Sequence, residues 1–130
     1  MTITFHRAFD ISISPKESIT PLFQIGVYRI LTSGQKDKAI NGIDFIKNLV
    51  EQANNKISIV AVGGLNPNNI KIIEKETKIT ECHFAARKPI ETHFPYENNL
   101  LANASVKGKF RPSKIGTDIE FIKQMISQFN

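Results

Sequence analysis

Apolar positions along the chain come in short blocks, and the spacing inside those blocks switches repeatedly between two and three to four residues. From Thr2 to His6, Ile3 and Phe5 alternate with Thr4 and His6, the period of a strand covered on one face. The polar cluster His6-Arg7-Ala8-Phe9-Asp10 ends it. Ser14-Pro15-Lys16-Glu17 then predicts a helix start, with Ser as N-cap, Pro at the first helical position and Glu placed to complete a capping box. Gly26 is the expected stop, and Pro21 shortens or kinks the helix on the way. Val27 to Thr32 reads as a second strand. It is followed by Ser33-Gly34-Gln35 and a long helix over Ala39 to Ala53, whose Ile43, Ile46, Leu49, Val50 and Ala53 form one stripe. Ile57 to Val62 is nearly all apolar, as suits a strand covered on both faces. After Gly63-Gly64, Asn66-Pro67 predicts the N-cap and first turn of a helix carrying Ile70, Ile72 and Ile73. Thr80 to Ala85 is a fourth strand. A capping box at Thr117-Asp118-Ile119-Glu120 opens a last helix with Ile119, Ile122, Met125, Ile126 and Phe129 on its core side.

Strand starts at 2, 27, 57 and 80, each followed by a helical pattern, predict an α/β fold of about four parallel βα units with right-handed crossovers. Between Arg87 and Ile115 the periodicity lapses. A stretch of that length predicts an ordered flap over one end of the sheet.

Composition adds bounds. With 130 residues, 41% apolar and 22% charged, the chain fits one soluble domain, residues 1–130. No apolar run approaches a membrane span, and the first residues lack a basic-then-apolar leader pattern, so a cytoplasmic protein with no membrane partner is expected. The single cysteine, Cys82, excludes an intrachain disulfide and a cysteine-only metal cage. The net charge of +5 rests largely on lysines scattered along the chain, without a basic block interleaved with aromatics, so no nucleic-acid partner is expected.

The chemistry collects where the strands end. In a parallel sheet the C-terminal strand ends share one rim, and ligands bind there. Four clusters fall on it: His6, Arg7 and Asp10; Thr32, Ser33 and Gln35; Gly63 and Gly64; His83 and Arg87. Alternation sends Ile3, Phe5, Cys82 and Phe84 to the helix-packed face and turns Thr4, His6, Glu81, His83 and Ala85 the other way, so two histidines are expected to face one interior. His93, in the aperiodic stretch, reads as a loop histidine. Gly63-Gly64 predicts either backbone amides open to an anion or simply a tight strand-to-helix turn. Arg7 and Arg87 would suit a carboxylate or phosphate, although Asp10 could equally satisfy Arg7.

Taken in order, Thr4-Phe5-His6-Arg7-Ala8-Phe9-Asp10, Arg29-Ile30-Leu31-Thr32-Ser33-Gly34-Gln35, Gly63-Gly64-Leu65 and Glu81-Cys82-His83-Phe84-Ala85-Ala86-Arg87 resemble the second half of the CutC family, the copper homeostasis proteins. The resemblance implies a partial (β/α)8 TIM barrel, a cytoplasmic role in copper homeostasis with copper ion as ligand, and no firmly assigned reaction. Of the family's ligand types, His6, His83 and Cys82 are the metal candidates, and Cys82 stands where many relatives have another residue. A barrel enzyme or binding protein for a small anionic metabolite is the alternative, with His6 or His83 as acid or base. The front half of the barrel, with its acidic and cysteine-containing motifs, is missing. Four strands would leave two open edges. That predicts a homo-oligomer closing the barrel, assembly with a separate first half, or a truncated product; of these a truncated or split product is the expectation.

Overall fold

The computed structural model describes residues 1–89 and 115–129. Four strands, β1 (Ile3–Phe5), β2 (Val27–Thr32), β3 (Ser58–Val62) and β4 (Glu81–His83), form one parallel sheet in sequence order. Helices α1 (Pro15–Gln24), α2 (Ile43–Ala53) and α3 (Ile70–Thr77) are the crossovers between them. The predicted α/β architecture of four parallel βα units is therefore what the chain adopts. The registers are Phe5 with Ile30, Ile30 with Ile59, and Val60 with Glu81.

Among the described residues the helices pack on one face of the sheet. Val27, Ile30, Ile59 and Ala61 meet Ile46, Leu49, Ala53, Ile70 and Ile73 in a single buried core. Phe5, Cys82 and Phe84 border it, as alternation predicts. Thr4, Arg29, Leu31, Ser58, Val60 and Glu81 belong to the opposite face, on which no helix lies among the described residues, although Val60 is itself buried.

Several boundaries differ from the sequence pattern for local reasons. Ser14 does not cap α1 with its side chain; its carbonyl instead accepts from Ser18 N and Oγ. The predicted Ala39–Ala53 helix begins as a 3-10 turn over Ala39–Gly42, and only then becomes α2. That turn presses Gly42 against Ser33 and Gly34, a contact with no room for either side chain. Helix α3 starts later than Asn66. Asn69 precedes it, while Asn66 accepts from Asn68 N in an Asx turn. Ile72 points outward, half exposed, because Ile70 and Ile73 occupy the core side.

Two elements flank the aperiodic stretch and were not expected. Strands β5 (Arg87–Pro89) and β6 (Ile115–Thr117) pair antiparallel, Arg87 opposite Thr117. The anticipated flap itself, and His93, lie outside the described residues. Helix α4 (Ile119–Ser127) follows, capped by Asp118, whose carboxylate accepts from Phe121 N at 3.1 Å. Its stripe behaves differently from the expectation. Met125 is buried and Phe121 packs on Phe84, but Ile119, Ile126 and Phe129 stay largely exposed. Among the described residues the parallel sheet ends at β4.

Candidate functional site

Beyond Phe5 the chain leaves the strand at His6 and enters a 3-10 turn, Arg7–Ile11. Phe9 anchors that turn in the core, fully buried, which aims Arg7 and Asp10 at the end of β2. There Asp10 gathers most of the donors available. Its Oδ1 accepts from Thr32 Oγ1 at 2.5 Å, Ser33 N at 3.1 Å and Gln35 N at 3.2 Å. Its Oδ2 accepts from Arg7 Nε at 2.9 Å and Ser33 Oγ at 2.9 Å. Arg7 Nη2 donates to Ser33 Oγ at 2.6 Å and reaches Lys36 O at 3.3 Å. Gly34 N donates back to Thr32 Oγ1.

Burial alone would raise the Asp10 carboxyl. Hydrogen bonds from Thr32, Arg7 and the Ser33 and Gln35 backbone outweigh it and hold the group below the usual aspartate value. The cluster is consequently an ionised brace: Arg7 and Asp10 balance each other, and the Asp10 oxygens have few lone pairs left for a substrate proton.

Gly63 closes the same corner. It adopts φ +101°, and a Cβ there would stand 3.3 Å from Ser33 Cβ and 3.6 Å from Arg7 Nη1. Its carbonyl accepts from Ala39 N. Gly64, at φ +68°, packs on the Lys38 side chain. Both glycines thus answer a steric requirement. The Gly63-Gly64 amides do not open directly onto a helix either, since α3 begins at Ile70.

Arg7, Asp10, Thr32, Ser33 and Gly63 come together at this rim, with Gln35 N on Asp10 and Gly64 beside them against Lys38. The metal candidates do not meet. His6 is exposed and caps the 3-10 turn: its Nδ1 accepts from Ala8 N at 3.0 Å. A neutral imidazole that accepts at Nδ1 carries its proton on Nε2, so no lone pair is left for a metal unless the cap breaks. His83 ends β4, exposed, at the opposite edge of the sheet. Three strand spacings, about 14 Å, separate the two strands. Cys82 faces the helices, and burial first, then the nearby Glu74 charge, push its thiol up. Among the described residues no three His, Cys, Asp or Glu side chains gather as a metal cage. The described donors, His6, His83 and Cys82, do not form a copper centre by themselves. Arg87 lies in the β5–β6 hairpin, outside the Asp10 network.

One group escaped the sequence reading. On the face opposite the helices Arg29 Nε donates to Glu81 Oε2 at 2.5 Å, and Ser58 Oγ donates to Glu81 Oε1 at 2.9 Å. Arg29 holds the Glu81 carboxyl below its ordinary value, with Ser58 assisting against partial burial. The available signal was alternation: Arg29, Ser58 and Glu81 share the face that Thr4 occupies. Among the described residues no helix is long and apolar enough to cross a membrane.

Comparison with known proteins agrees with this architecture. A solved structure from Streptococcus agalactiae, described as a copper homeostasis protein CutC, superposes with a TM-score of 0.61 at 38% identity, over 64% of this chain and 41% of that one. A CutC family protein of Pasteurella multocida is 44% identical over 99 residues, covering 76% of this chain and 41% of its own. One from Bacteroides fragilis is 38% identical over 125 residues, covering 96% and 49%. The chain thus spans about half the length of the curated relatives it matches. The CutC family model matches residues 1–88; with that match, these relatives and this fold, the chain belongs to the CutC family.

Proposed function

We propose that this chain acts in copper homeostasis as half of a CutC-type barrel, and that copper is held only when the barrel is complete. The observation that carries the reading is the likeness, over nearly the whole chain, to CutC family proteins about twice as long, in a fold whose rim is built but whose metal donors, among the described residues, are dispersed. His83, at the open tip of β4, is the candidate donor of this half, with soft Cys82 next to it in sequence favouring Cu(I) over zinc if the strand end rearranges. An unpaired thiol of this kind suits a reducing compartment, and we place the protein in the cytoplasm.

Thermal melts with Cu(I) and with Zn(II) test the proposal, run on the assembled species. Copper is expected to raise the melting temperature more than zinc, and His83→Ala with Cys82→Ser is expected to abolish that difference. His6→Ala should lower stability by removing the cap while leaving the copper increment in place. An equal copper increment in the His83→Ala, Cys82→Ser protein would refute the assignment.

A further inference from the structure

The 3-10 turn that leads into α2 carries a reactive pair. Asn41-Gly42 is the one Asn-Gly step in the sequence. Glycine has no side chain to shield its main-chain nitrogen, so that nitrogen can attack the Asn41 side-chain amide at Cγ. In that step the Gly42 nitrogen gives its proton to solvent and Asn41 Nδ2 leaves as ammonia, closing a succinimide ring. Water then opens the ring at either carbonyl. One product is aspartate; the other is β-linked aspartate, in which the main chain runs through Cβ and Cγ and is longer by an atom. The other described asparagines precede residues that carry a side chain, and Asn66 precedes Pro67, which has no N–H.

The fold holds this pair apart. Asn41 is exposed, but its Nδ2 donates to Asp37 Oδ1 at 2.9 Å and its main-chain N–H to Lys38 O at 3.0 Å. Gly42 is buried at the end of the turn Ala39–Gly42, where the 3-10 pattern engages its N–H. Both the Asp37 bond and the turn have to open before the nitrogen reaches Cγ. The rim feels any such opening. A Cβ at Gly42 would stand 2.9 Å from Gly34 Cα and nearer still to Ser33 O, so backbone lies directly on backbone there. Ser33 in turn gives its N–H and Oγ to Asp10, and Ala39 N donates to Gly63 O at 3.0 Å.

We infer that Asn41-Gly42 is a latent modification site, in which deamidation to β-linked aspartate turns a transient opening of the Ala39–Gly42 turn into a permanent loosening of the Asp10 rim. The lengthened main chain has no space beside Gly34 and Ser33, so the turn cannot close again as it was. Copper plays no part in it.

Peptide mapping of the full chain gives the test. Trypsin cuts after Lys38 and Lys47 release Ala39–Lys47, whose one asparagine is Asn41. In alkaline buffer its amide-to-acid conversion is expected to run at least about tenfold slower in the folded protein than in urea, because the reaction waits on local opening. Asp37→Ala, which frees the Asn41 amide, should speed the folded-state conversion about threefold, as loss of one hydrogen bond allows. Refolded after the urea incubation, the wild type should contain a β-linked population that melts about 5 °C or more below the fresh protein. Asn41→Gln taken through the same incubation should lack that population. Equal rates in the folded and urea-unfolded chains, no acceleration in Asp37→Ala, an aged wild type that melts as before, or the same low-melting population in Asn41→Gln would each overturn the inference.

Discussion

Asp10 is the residue whose removal should cost the rim most. Its side chain is 7% exposed, and it accepts from two hydroxyls, two backbone amides and a guanidinium. Hydrogen bonds to a charged acceptor contribute about 1.5–3 kcal/mol each, but they are not additive here, because Gln35 and Arg7 can turn to water when the carboxylate is gone. Thr32 Oγ1 and Ser33 N, both buried, cannot do so. Counting chiefly those two losses, Asp10→Ala should destabilise by about 3 kcal/mol, or a fall in melting temperature on the order of 10 °C for a domain this size. Arg7→Ala should cost only about 1 kcal/mol, because that side chain is 44% exposed and the carboxylate keeps its other donors. Urea unfolding of both single variants and of the double variant separates the pair energy from the remainder. The reasoning fails if Asp10→Ala costs less than Arg7→Ala.

The remaining predictions concern titration, backbone and thiol. Because the folded-state pKa of Asp10 is depressed, its contribution is fully present above the ordinary aspartate value of about 4 and is lost as pH falls through the lower folded value. The stability gap between wild type and Asp10→Asn should therefore narrow in melts taken from pH 5 down to pH 3; a constant gap would contradict the assignment. Gly34→Ala should destabilise by more than about 2 kcal/mol, since its Cβ would lie 2.4 Å from Gly42 O at φ +71°. Gly26→Ala, at φ +88° with nothing within 4 Å of the new Cβ, should cost only the conformational term of about 1 kcal/mol; equal losses in urea melts would discard the steric account. Cys82 should alkylate with iodoacetamide at pH 8 about tenfold more slowly in the folded protein than in urea, because burial and Glu74 disfavour its thiolate.

What the sequence made legible follows periodicity. Val27 to Thr32 needed no correction, because a β-favouring run of six residues between Gly26 and Ser33 is too short for a helix. The stripe Ile46, Leu49 and Ala53 was equally plain. Helix α4 shows the limit of that method. Its pattern states which side is apolar, yet whether that side is buried depends on what packs against it, which periodicity cannot supply. The β5–β6 hairpin was invisible for a different reason. Arg87–Pro89 and Ile115–Thr117 are three residues each, too short to show alternation, and they pair across a gap in sequence.

The candidate site divides along the same line. The proximity of Asp10, Thr32, Ser33 and Gly63 follows from topology, since parallel strands bring the residues just past their C-terminal ends to one rim. Counting faces did not bring His6 and His83 together, because alternation fixes the side of a sheet and says nothing of the distance across it. Strand order does that, and here it puts β1 and β4 at opposite edges. For His6 there is a further step. Alternation presumes that the strand continues through His6, whereas the 3-10 turn that follows has an unsatisfied N–H at Ala8, and the imidazole Nδ1 is the nearest acceptor. A histidine that starts a turn is committed to the backbone first.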